Sequence, residues 1–149
     1  MKQDCLFCKI AAGDIPSVKI YETEGVLAFL DISPVEKGHT LVISKRAHSE
    51  TILDTPPDIA AELLAAAKTV AAGMMAAGFG GVNLVQNNFK DGGQAVPHIH
   101  FHVIPRAKDR QGPLVWASGS NPYADDAERN VYAERIRAGI EAAQAPLPA

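Results

Sequence analysis

Three histidines at alternate positions, His98, His100 and His102 in the run P-H-I-H-F-H-V-I-P-R, constrain this chain more than any other feature. On a β-strand successive side chains point to opposite faces, so this spacing puts the three imidazoles on one face and Ile99, Phe101 and Val103 on the other. One face is available for chemistry and the other for burial. The chain holds only 5 histidines, and core packing would place apolar groups at such positions. The plainer alternative is three satisfied or surface histidines on an edge strand.

The length of 149 residues suits one domain with one core. A hydrophobic share of 47% with 21% charged residues reads as globular, and a net charge of −3 argues against a general nucleic-acid or membrane surface. Any phosphate must be held by local groups. The start, M-K-Q-D-C, has no signal-peptide core, and no later stretch is expected to approach the roughly 18 residues that span a bilayer. The expectation is a soluble, cytoplasmic protein.

Both cysteines, Cys5 and Cys8, sit in C-L-F-C. A redox motif of this spacing would follow a strand, for which four preceding residues leave no room. A disulfide is out of place in a reducing compartment. Zinc is the better reading, and it requires two further Cys or His ligands from elsewhere.

Val18 to Thr23 and Val26 to Leu30 read as strands around the hairpin signal Glu24-Gly25. His39 to Ser44 reads as a third strand, with His39, Leu41 and Ile43 on one face. Thr55 is placed to cap a helix over residues 56–77, whose stripe of Ile59, Leu63, Ala67, Val70 and Met74 packs on a core. Val82 to Gln86 and His98 to Ile104 read as an antiparallel hairpin. Asn121-Pro122 is placed to start a last helix running to about Ala143, with Val131, Ile136 and Ile140 available to pack. Residues 145–149, with two prolines, are expected to fray.

The heptad H-I-H-F-H-V-I resembles the defining motif of the histidine triad (HIT) superfamily of nucleotide hydrolases and transferases. C-L-F-C-K-I-A-A-G-D-I-P-S, L-A-F-L-D-I-S-P, K-G-H-T-L-V-I-S-K-R-A-H and D-G-G-Q-A-V-P resemble its other segments in the same order, from about residue 5 to 106. The resemblance implies an α+β, HIT-like fold in which an antiparallel sheet of about five strands packs against a central helix, with an additional C-terminal helix. It implies one domain over 1–149, with a core at 1–110 and an extension at 111–149.

By the same resemblance, His100 is the nucleophile that attacks the α-phosphorus of a nucleotide. A main-chain carbonyl on the same strand would fix its tautomer. His102 would bond phosphate or leaving-group oxygen, His39 would support the pocket, and Gln94 would face the phosphate or leaving group. Gly93 would let main-chain N–H groups approach the substrate, with Ala95 next to it. Asn87 would contact the substrate near the α-phosphate and ribose, or else hold an Asx turn. Asp31 would accept from the ribose hydroxyls, or else cap the turn before Ser33-Pro34. Phe29, Ile32, Phe7 and Ile10 would line the base pocket, or serve as plain core.

Cys5, Cys8, His48 and His98 match a Cys₂His₂ zinc set, which with four protein ligands would be structural. Position 95 is Ala where several relatives carry Ser or Thr, which leaves the leaving-group acid open. Trp116 is interface or core, with no catalytic role assigned. Arg106, Lys108 and Arg110 could attract the far phosphates of a longer substrate or form a solvated face. The implied partner is a purine nucleotide or nucleotide conjugate, acted on by a homodimer. The leading activity is hydrolysis or transfer on purine nucleoside 5′-phosphoramidates. The alternatives are a dinucleoside polyphosphate hydrolase, a nucleotide-binding regulatory module with little turnover, and a triad-ligated catalytic metal.

Overall fold

The computed structural model describes residues 1–146. In chain order it has α1 (Leu6–Ala12), β1 (Lys19–Glu22), β2 (Val26–Leu30), β3 (Thr40–Ser44), α2 (Pro57–Ala76), β4 (Gly81–Val85), β5 (His100–Arg106) and α3 (Asp126–Gln144). The five strands form one antiparallel sheet in the order β1-β2-β3-β5-β4. The last strand thus enters between β3 and β4 and becomes central. That placement puts the histidine run next to His39, since Leu41 stands opposite His102 and Ile43 opposite His100.

Strand alternation divides the core into two. Val26, Ala28, Leu30, Val42, Ile99 and Val103 face Leu63, Ala67, Val70 and Met74 of α2 and Ala133, Ile136 and Ile140 of α3. Leu27, Phe29, Leu41 and Ile43 face the other way, onto Phe7 and Ile10 of α1. The histidines share that second face.

Several boundaries differ from expectation. His98 precedes β5, which runs on to Arg106. Thr55 does not cap α2: its hydroxyl donates to Thr51 O, and the helix starts from Pro56 with proline at its first position, where the missing N–H costs nothing. α3 starts at Asp126, four residues beyond Pro122, because Asp125 Oδ1 accepts from Glu128 N and makes the cap. Val131 is exposed, and Ala133 takes its expected place in the core. The short α1 has no amphipathic period of useful length and escaped the sequence reading. α2 also overturns the expectation on span length: with 20 residues it is long and apolar enough to cross a membrane, although Leu63, Val70 and Met74 are buried against the sheet. Part of the tail expected to fray, residues 147–149, lies outside the described residues.

α2 and α3 cross at Gly73 and Gly139. A Cβ on Gly139 would run into the Gly73 carbonyl, and one on Gly73 would strike Ile140. Glycine is needed there for close approach. Gly139→Ala should therefore lower stability by about 1–3 kcal/mol in urea melts, whereas Gly92→Ala, which meets open space, should leave the melting curve almost unmoved.

Candidate active site

Four buried imidazoles meet at the centre of the sheet, and main-chain groups decide where their protons lie. Val35 N donates to His39 Nδ1 at 3.2 Å, so neutral His39 carries its proton on Nε2. That N–H donates to His102 Nδ1 at 2.9 Å, which leaves the His102 proton on Nε2. His100 lies the other way round. Its Nδ1 donates to the His98 carbonyl at 2.7 Å, so Nε2 keeps a bare lone pair. The site thus presents a nucleophilic nitrogen on His100 beside a fixed N–H donor on His102, both lining one cavity.

Burial keeps these rings neutral. Desolvation lowers His39 to about 4, against a smaller opposing pull from Asp31, and lowers His102 to about 3, with His100 and His39 adding to it. Burial also lowers His100, opposed by its bond to the His98 carbonyl. Asp31 stands at the end of β2, with Oδ1 accepting from Ser33 N at 2.7 Å and Oδ2 at 3.6 Å from His39 Nε2.

The cavity has a volume of about 570 Å³. Of the residues singled out in the sequence, Phe7, Ile10, Phe29, Asp31, Ile32, Gly93, Ala95, His100 and His102 line it, while His39 lies behind His102. Ile32 is 88% exposed and belongs to the cavity mouth, not to a core. The N–H groups of Ala95 and Val96, both in the lining, have no hydrogen-bond acceptor among the described residues. Asn87 and Gln94 do not line the cavity. Asn87 lies beside Gly93. Gln94 stitches its own loop, accepting from Phe89 N at 2.8 Å and donating to Val96 O at 3.0 Å and to Glu50 O. It braces Phe89, whose φ of 64° and ψ of 164° lie in a region that only glycine occupies readily.

Trp116, read from the sequence as interface or core, instead lines the cavity, 42% exposed, and sets its ring edge-on to His102 at 4.6 Å and to His39 at 5.6 Å. No periodicity surrounds it, and only the return of the chain after β5 brings it to the site. Ser118 and Arg129 join the same wall. Arg106, Lys108 and Arg110 do not line this cavity: Lys108 and Arg110 are exposed, as a solvated face requires, while the half-buried Arg106 and Arg110 itself both pair with Glu36, at 3.7 and 2.6 Å.

A second cluster lies one residue pair away. Cys5 Sγ and Cys8 Sγ are each 3.4 Å from His98 Nδ1, and Cys8 Sγ is 3.3 Å from His48 Nδ1. All four ligand atoms fall within 4.8 Å of one another. Tetrahedral zinc, with bonds of about 2.3 Å to sulfur and 2.0 Å to nitrogen, would space such ligands roughly 3.5 Å apart. Lys2 N and Cys8 N also donate to the sulfurs of Cys8 and Cys5, bonds that a metal-bound thiolate would accept. The donor set therefore fits zinc. Asp31, His39 and His102 form another possible ligand group but fit poorly. A metal on His39 Nε2 would force the proton to Nδ1, where Val35 N–H already points.

Comparison with known proteins places this architecture. The family model described as HIT domain matches residues 12–109. The protein hit of Bacillus subtilis is 42% identical over 131 residues, covering 87% of this chain and 90% of that protein. The adenosine 5′-monophosphoramidase hnt1 of Schizosaccharomyces pombe is 44% identical over 108 residues, covering 72% and 78%. A Zn-bound histidine triad family protein from Mycobacterium smegmatis superposes with a TM-score of 0.82 at 35% identity, covering 93% of this chain and 94% of that one.

The neutral rings carry a pH signature. His39 and His102 bind protons near pH 6.5 when unfolded but only near 4 and 3 when folded, so between these values unfolding takes up protons. Stability is then full above about pH 6.5 and falls as the solution is acidified, by up to about 1.4 kcal/mol per pH unit for each histidine. Urea melts between pH 7.5 and 5 should show this slope, and the double variant His39→Asn/His102→Asn should lose that part of it.

Proposed function

Since this chain belongs to the HIT domain family, we propose that it hydrolyses purine nucleoside 5′-phosphoramidates or related nucleotide conjugates at the α-phosphate through a nucleotidyl-His100 intermediate. The opposite tautomers of His100 and His102 carry this reading. The name of the Schizosaccharomyces pombe relative, an adenosine 5′-monophosphoramidase, supports the substrate class.

In the first step His100 Nε2 attacks phosphorus, the N–P bond to His100 forms, and the bond to the leaving amine breaks. His102 Nε2–H and the free N–H groups of Ala95 and Val96 are fixed donors for the phosphate oxygens, where preorganised dipoles act best. In the second step water attacks the same phosphorus and His100 departs. Conjugate and water thus give nucleoside monophosphate and amine.

His102 acts as a donor and not as a proton relay. The chain behind it runs through His39 Nε2 and ends at Val35 N–H, an amide that cannot yield a proton. With Ala at position 95, the proton for the leaving amine comes from solvent at the cavity mouth. Phe7, Ile10 and Phe29 form the apolar walls for the base, and Asp31 accepts from the ribose.

Zinc held by Cys5, Cys8, His48 and His98 would be structural, because four protein ligands leave no position for a reacting water. A homodimer belongs to the same reading. The exposed Leu84 on edge strand β4 and the exposed Leu64 and Met75 on α2 support it.

Purified protein should hydrolyse adenosine 5′-phosphoramidate, and His100→Ala should reduce turnover at least about a thousandfold while keeping its zinc. An inert wild-type protein would overturn the assignment. Loss of metal in His100→Ala would instead point to a triad-ligated ion.

A further inference from the structure

We propose that His98 is a positioning residue for the nucleophile, so that the metal state of the Cys5–Cys8–His48–His98 cluster sets the tautomer and ring direction of His100. The inference rests on the reading of His100 as nucleophile and on the fit of the cluster to zinc. It concerns a coupling between the two sites that neither requires.

His98 serves both sites with different atoms. Its imidazole Nδ1 faces the two sulfurs at 3.4 Å, and its main-chain carbonyl accepts from His100 Nδ1 at 2.7 Å. That carbonyl is not held by the sheet, because the pairing of β3 with β5 starts at Ile43 and His100. His98 N donates to Val96 O and Ile99 N to Ser49 O, both at 2.8 Å. The planar peptide ties this carbonyl to the Ile99 N–H, so the bond to Ser49 O sets its direction, and Ser49 directly follows His48, a member of the same cluster. Among the described residues the His98 ring has polar contacts only through Nδ1; its buried Nε2 has no partner. A metal bond of about 2 Å holds such a ring far more firmly than two S···N contacts do.

A second lever comes from Phe7, which lies between the two cysteine ligands on α1. Its ring stands edge-on to His98 at 5.9 Å and to His100 at 5.1 Å, and it lines the cavity. α1 has 7 residues, too few to be stable by itself. Without metal, two thiols and two imidazole nitrogens crowded within 4.8 Å of one another give this corner reason to rearrange. Either a turn of the His98 carbonyl or a shift of Phe7 frees the His100 ring. The competent tautomer is then lost from part of the population, and turnover falls tenfold or more, as small misplacements of reacting groups do.

The test uses protein labelled with ¹⁵N in its histidine rings, zinc-loaded and then stripped by a chelator at one fixed pH, with folding followed by circular dichroism. The loaded protein should show His100 as a single Nδ1–H tautomer. The stripped, folded protein should show His100 averaging between tautomers while His39 and His102 stay unchanged. A single unchanged His100 tautomer in stripped, folded protein overturns the proposal, and so does a chain that binds no zinc. Should the stripped chain unfold, His48→Ala keeps three ligands and permits a zinc titration. Averaging that tracks the zinc-free fraction supports the coupling, and a constant tautomer overturns it. Turnover of the zinc-loaded protein is scored separately. Failure there sinks the hydrolase reading, while failure of the tautomer to respond sinks only the coupling.

Discussion

The site depends on one constraint: a row of buried imidazoles whose protons can be placed in only one way. Two main-chain groups outside the strands set them: the Val35 N–H fixes His39 and through it His102, and the His98 carbonyl fixes His100. An imidazole buried with the wrong tautomer would leave two donors or two acceptors facing each other, at a cost of about 1–3 kcal/mol for each unsatisfied group. The sheet order serves the same end, because only a central β5 brings His102 against His39. Fold and chemistry therefore share the same hydrogen bonds.

The segment beyond β5 braces one of those two groups. Gly119 N donates to Ser33 O at 3.0 Å, Asn121 N to Pro34 O at 3.3 Å, and Gly38 N to the Tyr123 hydroxyl at 2.8 Å. All three bonds grip the loop that carries Val35. Glu36 in the same loop is buried and pairs with Arg110 and Arg106. The far end of the segment continues into α3, which the glycine crossing locks against α2. The C-terminal part thus braces the loop whose Val35 N–H sets the proton on His39, the residue directly behind His102, and it lines the cavity with Trp116 on the way.

What was legible in the sequence follows from period and order. The alternation of His98 to Val103 announced the site, and the stripe from Ile59 to Met74 announced the core helix, because both patterns are local. The sheet and its two covering helices came from motifs in a fixed order. Local signals failed where a hydrogen bond that residue type does not specify decided the outcome. Thr55 has the residue type of a cap, yet its hydroxyl is taken by Thr51 O. Gln94 has the type of a phosphate ligand, yet its amide holds the strained Phe89. Trp116 sits in no pattern at all, and the fold of the segment after β5 gives it its place. Cys5, Cys8, His48 and His98 were a list of ligand types in sequence; only the fold brings their ligand atoms within 4.8 Å.

The cavity holds almost no fixed positive charge for the phosphate of the proposed substrate. Arg129 is the one Lys or Arg in the lining, and the histidines are held neutral by burial. In the proposed reaction the positive charge is made during the step, on the His100 ring, as Nε2 bonds to phosphorus. The bond from His100 Nδ1 to the His98 carbonyl is then no longer between neutral partners. A neutral hydrogen bond contributes about 0.5–1.5 kcal/mol and one to a charged group about 1.5–3 kcal/mol, so this contact strengthens by roughly 1–2 kcal/mol as the transition state forms. Such an interaction, weak in the resting enzyme and stronger at the barrier, raises the rate without tightening the ground state. A permanent cation in place of the neutral ring would bind substrate and transition state alike. In the proposed reaction the carbonyl of His98 would therefore act twice, first by choosing the tautomer that can attack and then by steadying the charge that attack creates.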